Sequence, residues 1–258
     1  MQIATWNVNG LRARSMRLME WLAERQPDIA CLQELKLVEE EFPFLEIRAA
    51  GYHAVIAGQQ AWNGVAVLSK ERPEVISREL DGAGQNGARF VVAKVAGIEV
   101  ASLYAPNGKS VSHPDFKMKL AWFDRLATYV ESRADRAAPF FLGGDFNVNP
   151  TDLDSYGGVL FHGKSHHTAE ERALLPRLEA AGLVDLFRQR YPTEPGYSWW
   201  DYRAGSFHKN LGMRMDLLLA TPALADRVDD VFVDREFRKK GKSGSIASDH
   251  APVVAVLR

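Results

Sequence analysis

Short apolar runs punctuate the chain, and most of them end on a polar residue. Strand-like runs, many rich in β-branched residues, cover residues 2–5, 29–33, 53–57, 64–68, 89–95, 99–104, 140–143, 215–220, 228–233 and 252–257. Helical patterns lie between them. Residues 15–26 place Leu18, Trp21 and Leu22 at helical spacing, and Pro27 stops the segment. Residues 116–133 carry Phe116, Leu120, Phe123, Leu126 and Val130 as one stripe. Residues 168–181 open on Thr168 and Glu171, the spacing of a capping box, and Gly182 can close the helix. Pro176 predicts a kink or an early break within it.

Strands outnumber helices, and several consecutive strands are joined by short turns. This predicts a layered α/β fold with mixed or antiparallel sheets, not a regular βαβ array. No Gly/Pro/Ser-rich linker divides the sequence, so residues 1–258 read as one domain. The loosest stretch is 237–248, with Arg238, Lys239, Lys240 and Lys242 and the small spacers Gly241, Ser243 and Gly244. It reads as a mobile, solvated basic loop.

The ends of the runs carry the candidate chemistry. One run leads into Asn7, another into Glu34, a third into Tyr104 and Asn107, and a fourth into Asp145 and Asn147. Two runs are reversed: Asp216 precedes Leu217–Leu219, and Asp249-His250 precedes Val253–Val256. If those two strands run antiparallel to the others, all these polar tips share one rim. Holding several carboxylates together in a partly dry site costs on the order of several kcal/mol per ion. These segments hold too little Lys or Arg to neutralise the charge, and a hard divalent cation would do so. Oxygen donors, no cysteine and at most one histidine suit Mg²⁺ or Mn²⁺ over Zn²⁺. Such a site provides what phosphate-ester hydrolysis needs: charge neutralisation, a carboxylate to handle water, and Asn and His donors.

Bulk properties narrow the field. Hydrophobic residues make up 46% and charged residues 25% of the chain, which excludes a disordered or coiled-coil protein. The formal net charge is −1, so any grip on a polyanion must come from a local patch. The single cysteine, Cys31, excludes an intramolecular disulfide and a thiolate metal cluster. Residues 1–6 lack the pattern of a signal peptide, and no run approaches the roughly 20 apolar residues of a membrane helix. A cytoplasmic protein away from membranes is expected. There is no P-loop, no Gly-x-Ser-x-Gly and no Gly-x-Gly-x-x-Gly sequence, which removes the support for nucleotide-triphosphate and acyl-transfer chemistry.

The chain closely resembles the exonuclease III family of DNA-repair nucleases, within the endonuclease/exonuclease/phosphatase superfamily. The resemblance rests on an ordered set of stretches spanning the chain. They include Trp6-Asn7-Val8-Asn9-Gly10, Leu32-Gln33-Glu34, Tyr104-Ala105-Pro106-Asn107 and Gly143-Gly144-Asp145-Phe146-Asn147. Further along come Pro150-Thr151-Asp152-Leu153-Asp154, Gly182-Leu183-Val184-Asp185, Tyr197-Ser198-Trp199-Trp200, Arg214-Met215-Asp216 and Ser248-Asp249-His250. It implies a four-layer α/β sandwich, two mixed sheets face to face and flanked by helices. It also implies Mg²⁺-dependent (or Mn²⁺-dependent) cleavage of duplex DNA, 5′ to abasic sites and 3′→5′ from ends, blocked 3′ ends included; a monomer is the default expectation.

By the same resemblance Glu34 is the central metal ligand, with Asn7, Asp145, Asn147 and Asp249 around it. Asp145 handles the attacking water or the leaving-group proton. Asn147, His250, Tyr104 and Asn107 contact the scissile phosphate, and Asp216 orients His250. Trp199, Met213 and Met215 form an apolar pocket for a flipped sugar. Lys36 and Arg203, with Arg12, Arg14, Lys109, Lys209 and the basic cluster at 238–242, are candidate DNA-backbone contacts. Two departures stand out: Leu35 replaces the family's usual threonine, and the 238–248 loop is long and Lys/Gly/Ser-rich. Two other readings share the core motifs: a superfamily phosphodiesterase acting on sphingomyelin or inositol phosphates, and a non-catalytic regulatory protein of the same fold. The filled catalytic positions argue against the latter.

Overall fold

The computed structural model describes residues 1–133, 137–241 and 243–258. The strands are β1 (Gln2–Asn7), β2 (Ile29–Gln33), β3 (His53–Ala57), β4 (Val65–Ser69), β5 (Glu74–Ser77) and β6 (Phe90–Val95). They continue as β7 (Ile98–Tyr104), β8 (Phe140–Asp145), β9 (Val184–Asp185), β10 (Asp216–Ala220), β11 (Val228–Val233) and β12 (Val253–Leu257). The helices are α1 (Leu11–Arg25), α2 (Phe44–Ala49), α3 (Pro114–Glu131), α4 (Ala169–Arg172), α5 (Leu174–Ala180), α6 (Leu186–Arg190) and α7 (Pro222–Ala225). None of the described helices is long and apolar enough to cross a membrane.

The strands form two six-stranded mixed sheets, ordered β11-β12-β1-β2-β4-β3 and β5-β6-β7-β8-β10-β9. Each sheet has one parallel pair, β1–β2 or β7–β8, with antiparallel neighbours on both sides. Three buried clusters separate the layers. Ile3, Cys31, Val67, Val91, Val100, Phe141 and Leu218 pack between the sheets. Trp6, Leu18, Trp21 and Leu22 join α1 to the first sheet. Phe123, Leu126, Val130, Leu142 and Leu178 join α3 and α5 to the second. The expected four-layer sandwich is therefore present, and strand period two builds it: along β1, Ile3 faces the other sheet while Ala4 and Trp6 face the α1 side.

The helices differ from the sequence reading in informative ways. α1 begins at Leu11, one turn before the expected start, because Gly10 at φ 97° turns the chain straight into the helix. α3 begins at Pro114 and is capped by the His113 side chain, which accepts the Asp115 N–H at 3.1 Å. The Thr168–Glu171 capping box forms as expected. The break after it falls at Ala173, ahead of Pro176, because a proline is tolerated in the first turn of the helix that follows. The loop at 238–248 is not a free tether. Arg238 is buried and donates to the carbonyls of Asp249 and Trp200 at 3.0 Å each. Glu20 on α1 receives the Ser243 and Ser245 hydroxyls. Arg238 is thus spent on internal carbonyls instead of DNA, and Lys242 lies outside the described residues.

Candidate active site

The alternation that builds the inter-sheet core also delivers the site. Inner-face positions run Ile3, Thr5, Asn7 on β1, Val100, Ser102, Tyr104 on β7, and Phe141, Gly143, Asp145 on β8. β10 runs the other way, so its first residue, Asp216, lies directly opposite Asp145, while Tyr104 pairs with Asp145 from the parallel side. Gly144 is required between them: a Cβ there would stand 2.0 Å from the Leu103 carbonyl oxygen.

The two sheets meet through Asn7. Its Nδ2 donates to Glu34 Oε1 at 2.8 Å and to Asp145 Oδ2 at 2.9 Å, drawing carboxylates from opposite sheets together. Glu34, Asp145 and His250 each offer an atom within 4.8 Å of the others. His250 Nδ1 donates to Asp216 Oδ2 at 2.8 Å, and its Nε2 lies 3.8 Å from Asp145 Oδ2. Burial opposes charge on this ring. The carboxylates of Asp216, Asp145 and Asp249 override it and raise His250 to about 10. With Nδ1 given to Asp216, the ring has only Nε2 to turn toward the site, and Glu34 and Asp145 are the oxygen donors of the cluster. Burial pushes Asp145 up to about 7; the His250 charge opposes this, while Asp216 and Glu34 reinforce it. Burial, with Glu34 and Asp145 adding to it, holds the Tyr104 phenol well above its ordinary value, so it is a donor.

Several expected residues sit differently from their expected roles. Asn7 turns its NH₂ to the carboxylates, because its Oδ1 is taken by the Asn9 N–H at 2.9 Å. Asn147 accepts at Oδ1 from Asn107 Nδ2 at 3.1 Å and donates to the Ala105 carbonyl at 3.0 Å. Neither amide oxygen faces the carboxylate pair. Asp249 stands beside them, receiving Asn9 Nδ2 at 2.9 Å and Trp199 Nε1 at 3.0 Å. Trp199 and Met213 are half-buried and bridge each other, whereas Met215 is buried. Asn107 is exposed. Lys36 Nζ pairs with Glu34 at 2.8 Å, and Arg203 pairs with Asp201. Arg12 and Lys109 likewise have acidic partners, Glu41 and Asp115.

Sequence reading missed the braces. Ser198 donates to Asp216 Oδ2 at 2.6 Å and receives the N–H groups of Met215 and Asp216. Ser248 donates to the Asn7 carbonyl at 2.7 Å and fixes the turn that carries His250. Buried Arg214 joins Asp154 to Asp185, linking three of the ordered motifs without touching the site. Asn9, Glu34, Lys36 and Asn147 all lie in the left-handed region, at φ 48°, 53°, 57° and 48°. Such strain, of order 1–3 kcal/mol per residue, persists where surroundings over-determine it. Motif membership was the only signal for Ser198, Ser248 and Arg214; nothing in a sequence signals a strained φ at Glu34.

The family model described as "Endonuclease/Exonuclease/phosphatase family" matches residues 4–250. Exodeoxyribonuclease III of Haemophilus influenzae is 35% identical over 271 aligned positions that cover all of both chains. Among solved structures, the Neisseria 3′ phosphatase NExo, bound to a product DNA hairpin, superposes with a TM-score of 0.95 at 38% identity, covering 100% of this chain and 99% of that one. An AP endonuclease from Archaeoglobus fulgidus gives 0.93 at 36% identity, again covering 100% and 99%.

Proposed function

The chain belongs to the endonuclease/exonuclease/phosphatase family, on its exodeoxyribonuclease III branch, and from that premise we propose a Mg²⁺-dependent DNA-repair hydrolase with the roles set out below. Its substrate is duplex DNA carrying an abasic site or a 3′ end to be trimmed or unblocked, and it acts as a monomer. The observation that carries the reading is the Asn7 amide holding Glu34 and Asp145 together beside a histidine cation anchored by Asp216. Two clustered carboxylate oxygens with no soft donor suit a hard cation. Glu34 and Asp145 would hold Mg²⁺, with Asn7 and Asp249 bracing the site.

When bound, the ion supplies positive charge to the scissile phosphate and its leaving oxygen. The chain's own groups do the rest. Asp145, raised toward neutrality, takes a proton from the attacking water. The His250 imidazolium grips a non-bridging oxygen through Nε2, and Asp216 keeps it charged and aimed. The Asn107 amide, steadied by Asn147, and the Tyr104 hydroxyl add neutral donors. Trp199 and Met213 present the apolar wall against which a sugar would lie.

The test incubates pure protein with duplexes carrying one abasic site, a blunt end or a 3′-phosphate, in Mg²⁺ or EDTA. Mg²⁺-dependent DNA cleavage or 3′-phosphate release, abolished by EDTA, is the expected result. Cleavage of sphingomyelin with no action on any DNA substrate would sink the reading.

A further inference from the structure

Behind Asn147 lies a buried ammonium that the roles above leave unused. Lys119, on α3, has no exposed surface. Its Nζ donates to the carbonyl of Asn147 at 2.6 Å and to that of Asn107 at 3.3 Å, and it pairs with the Glu171 carboxylate. Glu171 is itself immobilised, receiving the Thr168 N–H and hydroxyl and the His166 N–H. His166 Nδ1 lies 2.5 Å from the same Asn147 carbonyl, a second donor to it as the Nδ1–H tautomer.

The two asparagines served by this ammonium are the ones whose amides touch each other at 3.1 Å. Asn147 is also a strained position: φ is 48°, its N–H is held by Asp145 Oδ1 at 2.9 Å, and its carbonyl is held by Lys119. Both of its backbone polar groups are therefore anchored. Stability does not explain the arrangement, since a buried Lys–Glu pair can commonly be replaced by uncharged residues without loss.

We propose that Lys119, fixed by Glu171, is a positioning residue for Asn107 and Asn147, setting their main chain and through it the Asn107 amide donor that Asn147 steadies for the phosphate. The proposal rests on the nuclease reading above. The test compares wild type with K119M/E171Q, which removes both charges together and leaves no unpaired buried ion. Single-turnover cleavage of duplex DNA with Mg²⁺ is expected to fall about 10–100-fold, the loss typical of sub-ångström misplacement, with KM and the circular-dichroism spectrum little changed. In an N147A background the same pair of changes is expected to add a smaller loss, the part that acts through Asn107.

Full turnover by the folded double variant, or an undiminished loss on top of N147A, would overturn the proposal. If the double variant does not fold, E171Q alone, which keeps the ammonium but frees it, carries the same cycle. Side-chain amide resonances of Asn107 and Asn147 give a readout without turnover. They are expected to move or broaden in the variant, and unchanged resonances overturn the proposal even if the DNA assay fails and takes the nuclease reading with it.

Discussion

In its proposed roles Asp145 answers to two demands. A proton acceptor needs affinity for a proton, and a cation ligand needs to lose one. Burial raises the carboxyl to about 7, the His250 charge lowers it, and Asp216 and Glu34 raise it again. Mg²⁺ affinity is therefore expected to climb with pH up to about 7 and then level off, and titration calorimetry of D145N should show that dependence flattened. D145N is also expected to slow DNA cleavage about 10²–10⁴-fold at unchanged fold. His250 works in the opposite sense. Its proton is held from its ordinary value of 6.5 up to about 10, so the stabilisation it contributes is complete below 6.5 and lost as pH rises through 10. The gap in Tm between wild type and D216N should accordingly be largest near pH 6 and shrink by pH 10. A gap that does not change across that range would break the link between the two residues.

At the scale of elements, Arg214 ties the turn at Asp154 to β9 at Asp185. Replacing it with Met strands the buried Asp185 carboxylate and leaves Asp154 to Arg188 alone; it is expected to destabilise the protein by about 3–5 kcal/mol, read from urea unfolding, while Mg²⁺-dependent rates in the folded fraction hold. The same scale shows what was legible in the sequence. The apolar runs marked β2, β3, β11 and their neighbours, because each is a short, largely apolar stretch bounded by polar or turn residues. β5 escaped notice: it is an exposed edge strand without alternation, and β9 is only two residues long. The tips of the runs were legible as a group because strand direction forces them to one rim. Which way the Asn7 amide points, that Arg238 is buried, and that Ser198 braces Asp216 depend on contacts between distant segments, which no local pattern encodes.

For the whole molecule, a formal charge of −1 means that DNA is held by a face and not by the overall field. Arg12, Lys36, Lys109 and Arg203 each have an acidic partner, so a backbone grip by these proposed contacts would exchange carboxylates for phosphates. DNA affinity is thus expected to drop steeply between about 50 and 200 mM salt, with turnover on saturating substrate much less affected; binding measured by anisotropy that ignores salt would rule out a backbone grip. The first sheet has a further property. Its centre is β1, but β1 is flanked by β12, from the far end of the sequence, and Trp6 bonds to His250 across 244 positions. While the chain is being synthesised, β1 therefore waits with one edge open, next to a half-made site that lacks its histidine. Nuclease activity cannot arise on the ribosome until β12 has emerged, so a nascent chain stalled before that point would be inert toward DNA yet exposed to mispairing with other strands.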